Sequence, residues 1–180
     1  MGIKTAYFSP VASGNGDGTT WSDRAELLPA GNWNTIISGH NWNGTDSLRC
    51  IVESATYAVP ALTFSTGTPV INNRFSIHAG TQTGIWQPPS NAWNCCQPMW
   101  VNTGMVTLTS TVANVIVSRH TDLYGLRLLQ TGSNNVIVQN LAANWCEFNN
   151  SFSGGSSYAA YGNELVNCVL RHTGTTYSAL

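Results

Sequence analysis

The chain has 180 residues, a formal net charge of −1 and only 8% charged residues, against roughly a quarter in ordinary globular domains. That length suffices for one domain with a sizeable core, read here as residues 1–180. With a single lysine, Lys4, and six scattered arginines, the chain lacks a basic footprint for nucleic acid or an anionic membrane, and no stretch reaches the eighteen apolar residues of a membrane span.

In chain order, Ala6-Tyr7-Phe8 reads as a first strand, closed by Ser9-Pro10, and Gly14 to Gly18 as a loop. Thr20 to Leu28 reads as a short capped helix over Ser22–Leu28, with Ser22 as N-cap, Glu26 in the first turn and Pro29-Ala30-Gly31 ending it. Thr35-Ile36-Ile37, Arg49-Cys50-Ile51-Val52, Leu62-Thr63-Phe64, Phe75-Ser76-Ile77 and Met105-Val106-Thr107-Leu108 read as short strands. Trp86 to Gly104 interrupts them with a loop holding Trp86, Trp93 and Trp100 beside Pro88, Pro89 and Pro98. A long loop ordered by aromatics is usually functional or interfacial.

The clearest pattern lies further on. Asn114-Val115-Ile116-Val117 recurs as Asn135-Val136-Ile137-Val138, 21 residues later (135 − 114 = 21), with Leu126-Arg127-Leu128-Leu129 between the copies. Glu164 to Leu170 resumes the apolar pattern. Strands this short cannot each bury a face alone, and repetition near 20 residues predicts copies that stack and share one core. Asn114 should then sit beside Asn135 at the same bend, and Val115, Ile116, Val117, Leu126, Leu128, Val136, Val138 and Val166 are the expected core strands. A flat antiparallel sandwich explains short strands but not that spacing. The 19 Asn, 17 Ser and 20 Thr suit stacked turns.

These turns are similar to those of right-handed parallel β-helix proteins, the pectate-lyase-like class that includes many phage tailspikes. The opening adds to the likeness. From Tyr7 to Ile37 it resembles the entry of phage and environmental β-helices: an aromatic strand ending in Ser-Pro, a Gly/Asp loop, a Trp-containing helix, then a turn into Thr-Ile. Trp33-Asn34 stands where such relatives often have Gly-Asp. The resemblance implies an all-β, right-handed parallel β-helix (solenoid). Residues 1–37 would form its N-terminal cap and entry, the short helix would cover the first turn, and residues 86–104 would be an insertion.

Candidate chemistry is sparse. Polysaccharide cleavage usually needs paired carboxylates. The eight acids are Asp17, Asp23, Glu26, Asp46, Glu53, Asp122, Glu147 and Glu164, and they form no motif. Glu147 and Glu164 lie close enough in sequence to approach on neighbouring turns. Arg119-His120-Thr121 recurs as Arg171-His172-Thr173 (171 − 119 = 52). A stacked Arg119, His120, Arg171, His172 column could hold an acidic sugar, and equally could be a polar ladder at a bend. Trp86, Trp93 and Trp100 could stack on sugar rings or meet a neighbouring subunit. Five cysteines without zinc spacing read as buried thiols. No catalytic residue, metal site or cofactor is expected.

The resemblance, the low charge and the lack of a catalytic motif favour a non-enzymatic phage virion protein: tailspike-like, fibre-base or capsid-decorating. The opening Met1-Gly2-Ile3-Lys4-Thr5 lacks the apolar run of a secretory signal, which fits a virion component released by lysis. Expected partners are copies of itself in a trimer, other virion proteins and a surface polysaccharide. The tail after Val169-Leu170 offers no evident cover for an open end, hence the expectation of a partner there. Alternatives on the same fold are a polysaccharide lyase or glycoside hydrolase, and a glycan-binding module.

Overall fold

The computed structural model describes residues 2–27, 35–37, 39–58, 62–63, 74–85, 105–111, 116–117, 121–132, 138–139, 142–150, 160–161, 164–166 and 168–172. Seventeen strands occur in them. The chain opens with β1 (Ile3–Ser9) and β2 (Ala25–Glu26), then makes repeated passes through three sheets. One pass is β3 (Ser47–Glu53), β4 (Thr56–Ala58) and β5 (Leu62–Thr63). The next is β6 (Phe75–Thr81) with a hairpin partner β7 (Gly84–Ile85), then β8 (Val106–Ser110) and β9 (Ile116–Val117). There follow β10 (Thr121–Tyr124), β11 (Leu126–Gln130) and β12 (Val138–Gln139), then β13 (Ala142–Asn144), β14 (Glu147–Asn150) and β15 (Ala160–Tyr161), and last β16 (Glu164–Val166) and β17 (Val169–His172).

The first sheet runs β16-β13-β10-β6-β3-β1-β2, the second β17-β14-β11-β8-β4, the third β15-β12-β9-β5. Every pairing is parallel except the β6–β7 hairpin. The all-β, parallel expectation therefore stands, and antiparallel hairpins do not join the repeated strands.

Alternation along each strand builds the core. Leu48, Cys50 and Val52 of β3 and Phe75, Ile77 and Ala79 of β6 are buried, and their neighbours face out. In the second sheet the register stacks Tyr57 on Leu108, Leu108 on Leu128 and Leu128 on Phe148, all buried. Such neighbours lie about 4.8 Å apart, so one buried side chain packs directly on the next. Leu126 and Leu128 lie in this core as expected. Val166 does not. It pairs with Asn144 on the outward row and is 42% exposed, while Leu165 packs against the core in its place.

The spacing also departs from a fixed 21. It is 20 where Val106 meets Leu126 (126 − 106 = 20) and where Asp122 meets Ala142 (142 − 122 = 20), but 22 where Ile116 meets Val138 (138 − 116 = 22). One corner gains two residues and the next gives them back. Ile116 is thus paired with Val138 rather than Ile137. Asn114 and Asn135 lie outside the described residues.

The helix expected at Ser22–Leu28 is absent from its described part. Residues 22–23 form a turn and Ala25–Glu26 are β2, paired in parallel with β1. Thr20 and Asp23 begin as a helix would, with the Asp23 N–H bonded to the Thr20 hydroxyl and carbonyl. The carbonyls that would continue the helix are already taken. Gly18 N–H donates to Asp23 O at 2.7 Å and Ser13 N–H to Arg24 O at 3.0 Å. Ala25 and Leu27 are then buried on either side of half-buried Glu26, a period of two rather than 3.6. The helical turn occurs instead at 35–37, where a strand was expected. It is closed by Gly39 N–H on Thr35 O at 2.9 Å and buries Ile37. Leu27 and Ile37 join the core, and the Trp42 ring packs against it, edge-on to Phe75 of β6 at 6.2 Å.

Candidate functional site

The outward rows of the first sheet carry most of the described polar chemistry. Strand register places Thr5, Arg49, Ser76, Asp122, Ala142 and Glu164 side by side. Two residues along each strand, the next row reads Tyr7, Ile51, His78, Tyr124, Asn144 and Val166. At the start of these strands, Gly2, Ile3, Ser47, Leu48, Arg49, Arg74, Ser76, His78, Asp122 and Tyr124 line a cleft of about 340 Å³.

Arg74 directly precedes β6 and is held by its backbone: its N–H meets the Ser47 hydroxyl at 3.2 Å, and its carbonyl accepts from Leu48 N–H at 3.0 Å. Its guanidinium reaches across to β10. Nε donates to Asp122 Oδ2 at 2.9 Å and Nη2 to Oδ1, a two-point fork on one carboxylate. The bond to Asp122 holds the Arg74 guanidinium above its already high range.

His78 and Tyr124 are register partners on β6 and β10, and their rings stack at 4.4 Å and 5°. His78 is only 7% exposed. Burial, with Arg49 adding to it, lowers its pKa from 6.5 to about 4, so the ring is neutral at pH 7. Its Nδ1 is buried without a hydrogen-bond partner among the described residues, and so is Arg49 Nε. Burial first, and Asp122 second, push the Tyr124 phenol up.

The acids do not converge. In the cleft the one carboxylate is Asp122, forked by Arg74. Glu147 is on the second sheet, 4% exposed, accepting from Arg127 Nε at 2.7 Å. Glu164 lies two strands from Asp122 on the first sheet and is exposed. The two glutamates proposed to approach each other thus sit on different sheets. Glu53 pairs with Arg24 at 3.3 Å, and Arg24 in turn lies 4.6 Å over the Trp21 ring. Asp17 and Asp23 hold the 13–23 loop together.

Of the residues singled out from sequence, Trp86, Trp93, Trp100, Arg119 and His120 lie outside the described residues. Arg171 and His172 are in β17, where Arg171 pairs with Asn149 and His172 with Asn150. That column continues through Leu129 and Thr109 of the second sheet. Arg49, Arg74, Ser76, His78 and Tyr124 were not singled out. Their signal was the outward half of each alternating strand, Arg49-x-Ile51, Ser76-x-His78 and Asp122-x-Tyr124. It becomes a site only once the register is known. No group of three or more His, Cys, Asp or Glu that could hold a metal occurs among the described residues. Comparison with family models, curated proteins and solved structures found no match to this chain.

Proposed function

We propose that the chain is a right-handed parallel β-helix and serves as a virion structural protein, tailspike-like, fibre-base or capsid-decorating. It acts by assembly contacts and by attachment to a surface glycan rather than by catalysis. The passage of the chain through three sheets in fixed order supports the β-helix reading. The observation that carries the non-catalytic part is the Arg74–Asp122 fork. It occupies the one carboxylate of the cleft, so the acid and base of a two-carboxylate glycosidase are not both at hand there. A concave surface with convergent polar groups and a displaced histidine pKa suits ligand binding. The partners in this reading are two further copies, making a trimer, and neighbouring virion proteins, with the protein outside cells once particles are released.

Incubation with a panel of bacterial surface polysaccharides tests attachment against cleavage. Retention of the protein on at least one polymer, with polymer length unchanged by size-exclusion chromatography, is the expected outcome; shortened chains overturn it. Sedimentation velocity of the isolated chain checks the trimer. Antibody labelling of particles from the native source checks the virion assignment.

A further inference from the structure

We propose that the cleft on the first sheet is a binding site for a small monoanionic carboxylate, with Arg49 as the group that takes the anion. The inference rests on the reading of this surface as one that binds; it does not depend on the virion role.

Three observations point to it. First, the charges of the cleft do not cancel. Arg74 and Asp122 neutralise each other through their fork, whereas Arg49 stands between Thr5 and Ser76 in the register and makes no ion pair among the described residues. His78 adds no charge at neutral pH. Among the lining residues one net positive charge remains, which matches a monoanion. A phosphate dianion would bring a second charge close to Asp122. Second, Arg49 Nε and His78 Nδ1 are both buried and both lack a hydrogen-bond partner. Buried polar atoms are nearly always satisfied, and leaving one unmade is costly. The planar side of a guanidinium matches the two oxygens of a carboxylate. Third, the cleft of about 340 Å³ is of the size that holds small ligands, and Ser47, Ser76 and Tyr124 line it with Arg49. These give neutral hydrogen bonds to the polar body that carries the anion.

The body could be a sugar or an amino acid, and the test separates them. The full chain is titrated by calorimetry at pH 7 and low ionic strength with glucuronate, N-acetylglycine, glucose and inorganic phosphate. Binding of glucuronate, of N-acetylglycine or of both supports the proposal, provided glucose and phosphate bind at least tenfold more weakly. Arg49→Met is expected to weaken carboxylate binding at least tenfold, and Arg49→Lys to restore only part of it, because an ammonium lacks the fork. Should Arg49→Met fail to fold, Ser76→Asp gives the same answer, since it places a tethered carboxylate at the register position beside Arg49. It is expected to abolish binding, and because Asp122 stands at the register position on its other side, the folded state of this variant is checked by its circular dichroism rather than by a gain in stability. No binding of either carboxylate, tighter binding of phosphate, or unchanged affinity in Arg49→Met or in Ser76→Asp overturns the proposal. Retention on a neutral polysaccharide without carboxylate binding would overturn it and leave glycan attachment standing.

Discussion

On the second sheet, Arg127 and Glu147 face outward at paired positions of β11 and β14 and bond at 2.7 Å. On the first, Arg49 has Thr5 and Ser76 in the corresponding places, and its Nε finds no partner. The strand geometry is the same. What differs is whether an opposite charge stands one strand away. The second sheet satisfies its buried carboxylate from within, as a structural surface does. The first sheet commits the carboxylate that lines its cleft, Asp122, to an arginine that reaches in from outside the strands, and leaves another cation open to that cleft. A surface with such a remainder is where a ligand gains most.

The sharpest way to break this comparison is at Arg127. Its partner Glu147 has a side chain only 6% exposed. Arg127→Leu leaves that carboxylate buried without its ion pair, and unfolding in urea is expected to show a loss of about 3 kcal/mol. Replacing both Arg127 and Glu147 by Leu is expected to recover most of it, because the loss comes from a stranded charge rather than from the pair itself. A single-variant loss below about 1 kcal/mol would mean the second sheet is no better satisfied than the first.

Acid titration probes the first sheet. His78 faces Arg49 across the outward rows and stacks on Tyr124, and its folded pKa lies at about 4 against 6.5 for the free side chain. Between those values the unfolded chain binds a proton that the folded chain refuses. Stability from this residue is therefore full above pH 6.5 and is lost as pH falls toward 4. The expected loss is about 3 kcal/mol over that window. His78→Phe keeps a ring against Tyr124 and should flatten this part of the stability–pH curve. An unchanged slope in that variant would place the titrating group elsewhere.

Much of the strand pattern was legible because alternation is a local property. Leu126 and Leu128, the all-β class and the parallel pairing followed from short apolar runs at near-regular spacing. Register was not legible, because it depends on corner lengths. The 21-residue match of Asn-Val-Ile-Val put Ile116 opposite Ile137, whereas corners that gain and return two residues put it opposite Val138. An error of one residue turns a strand over, so naming Val166 as a strand residue did not say which side it takes; Leu165 is the residue that packs and Val166 faces out. The helix expected at Ser22–Leu28 fails for a similar reason. A turn does begin, at Thr20 and Asp23 rather than at the expected cap Ser22, but Gly18 and Ser13 claim the carbonyls from a distance in sequence. The cleft was hidden because its members are spread over 122 residues of chain, from Gly2 to Tyr124 (124 − 2 = 122). No window of sequence contains them together.

Two corners offer a smaller contrast. Gly125 turns β10 into β11 with φ 69°, and Trp145 does the same between β13 and β14 with φ 54°. Glycine adopts that conformation freely, and a side chain costs roughly 1 kcal/mol there. Gly125→Ala is expected to destabilise by about that amount in thermal melts. Equal stability of variant and parent would mean that the corner relaxes out of the left-handed region.

The smallest effect on stability is expected where the effect on the cleft should be large. Arg74 is 46% exposed in its pair with Asp122, and exposed ion pairs are worth about 0–1 kcal/mol. Asp122→Asn should therefore shift the urea midpoint little. Its consequence for charge is another matter. The variant removes the carboxylate that occupies the Arg74 fork, and asparagine can return only a neutral carbonyl to it. The cleft's lining residues then carry a net charge of two instead of one, from Arg49 and Arg74, with no anion among them. A dianion should become the better match. Inorganic phosphate is expected to bind the variant at least tenfold more tightly than it binds the parent at pH 7 and low salt, with the gain shrinking as salt is raised. If phosphate affinity does not move, the Arg74–Asp122 fork does not set the charge of the cleft, and the distinction drawn between the two sheets fails on the side that matters for binding.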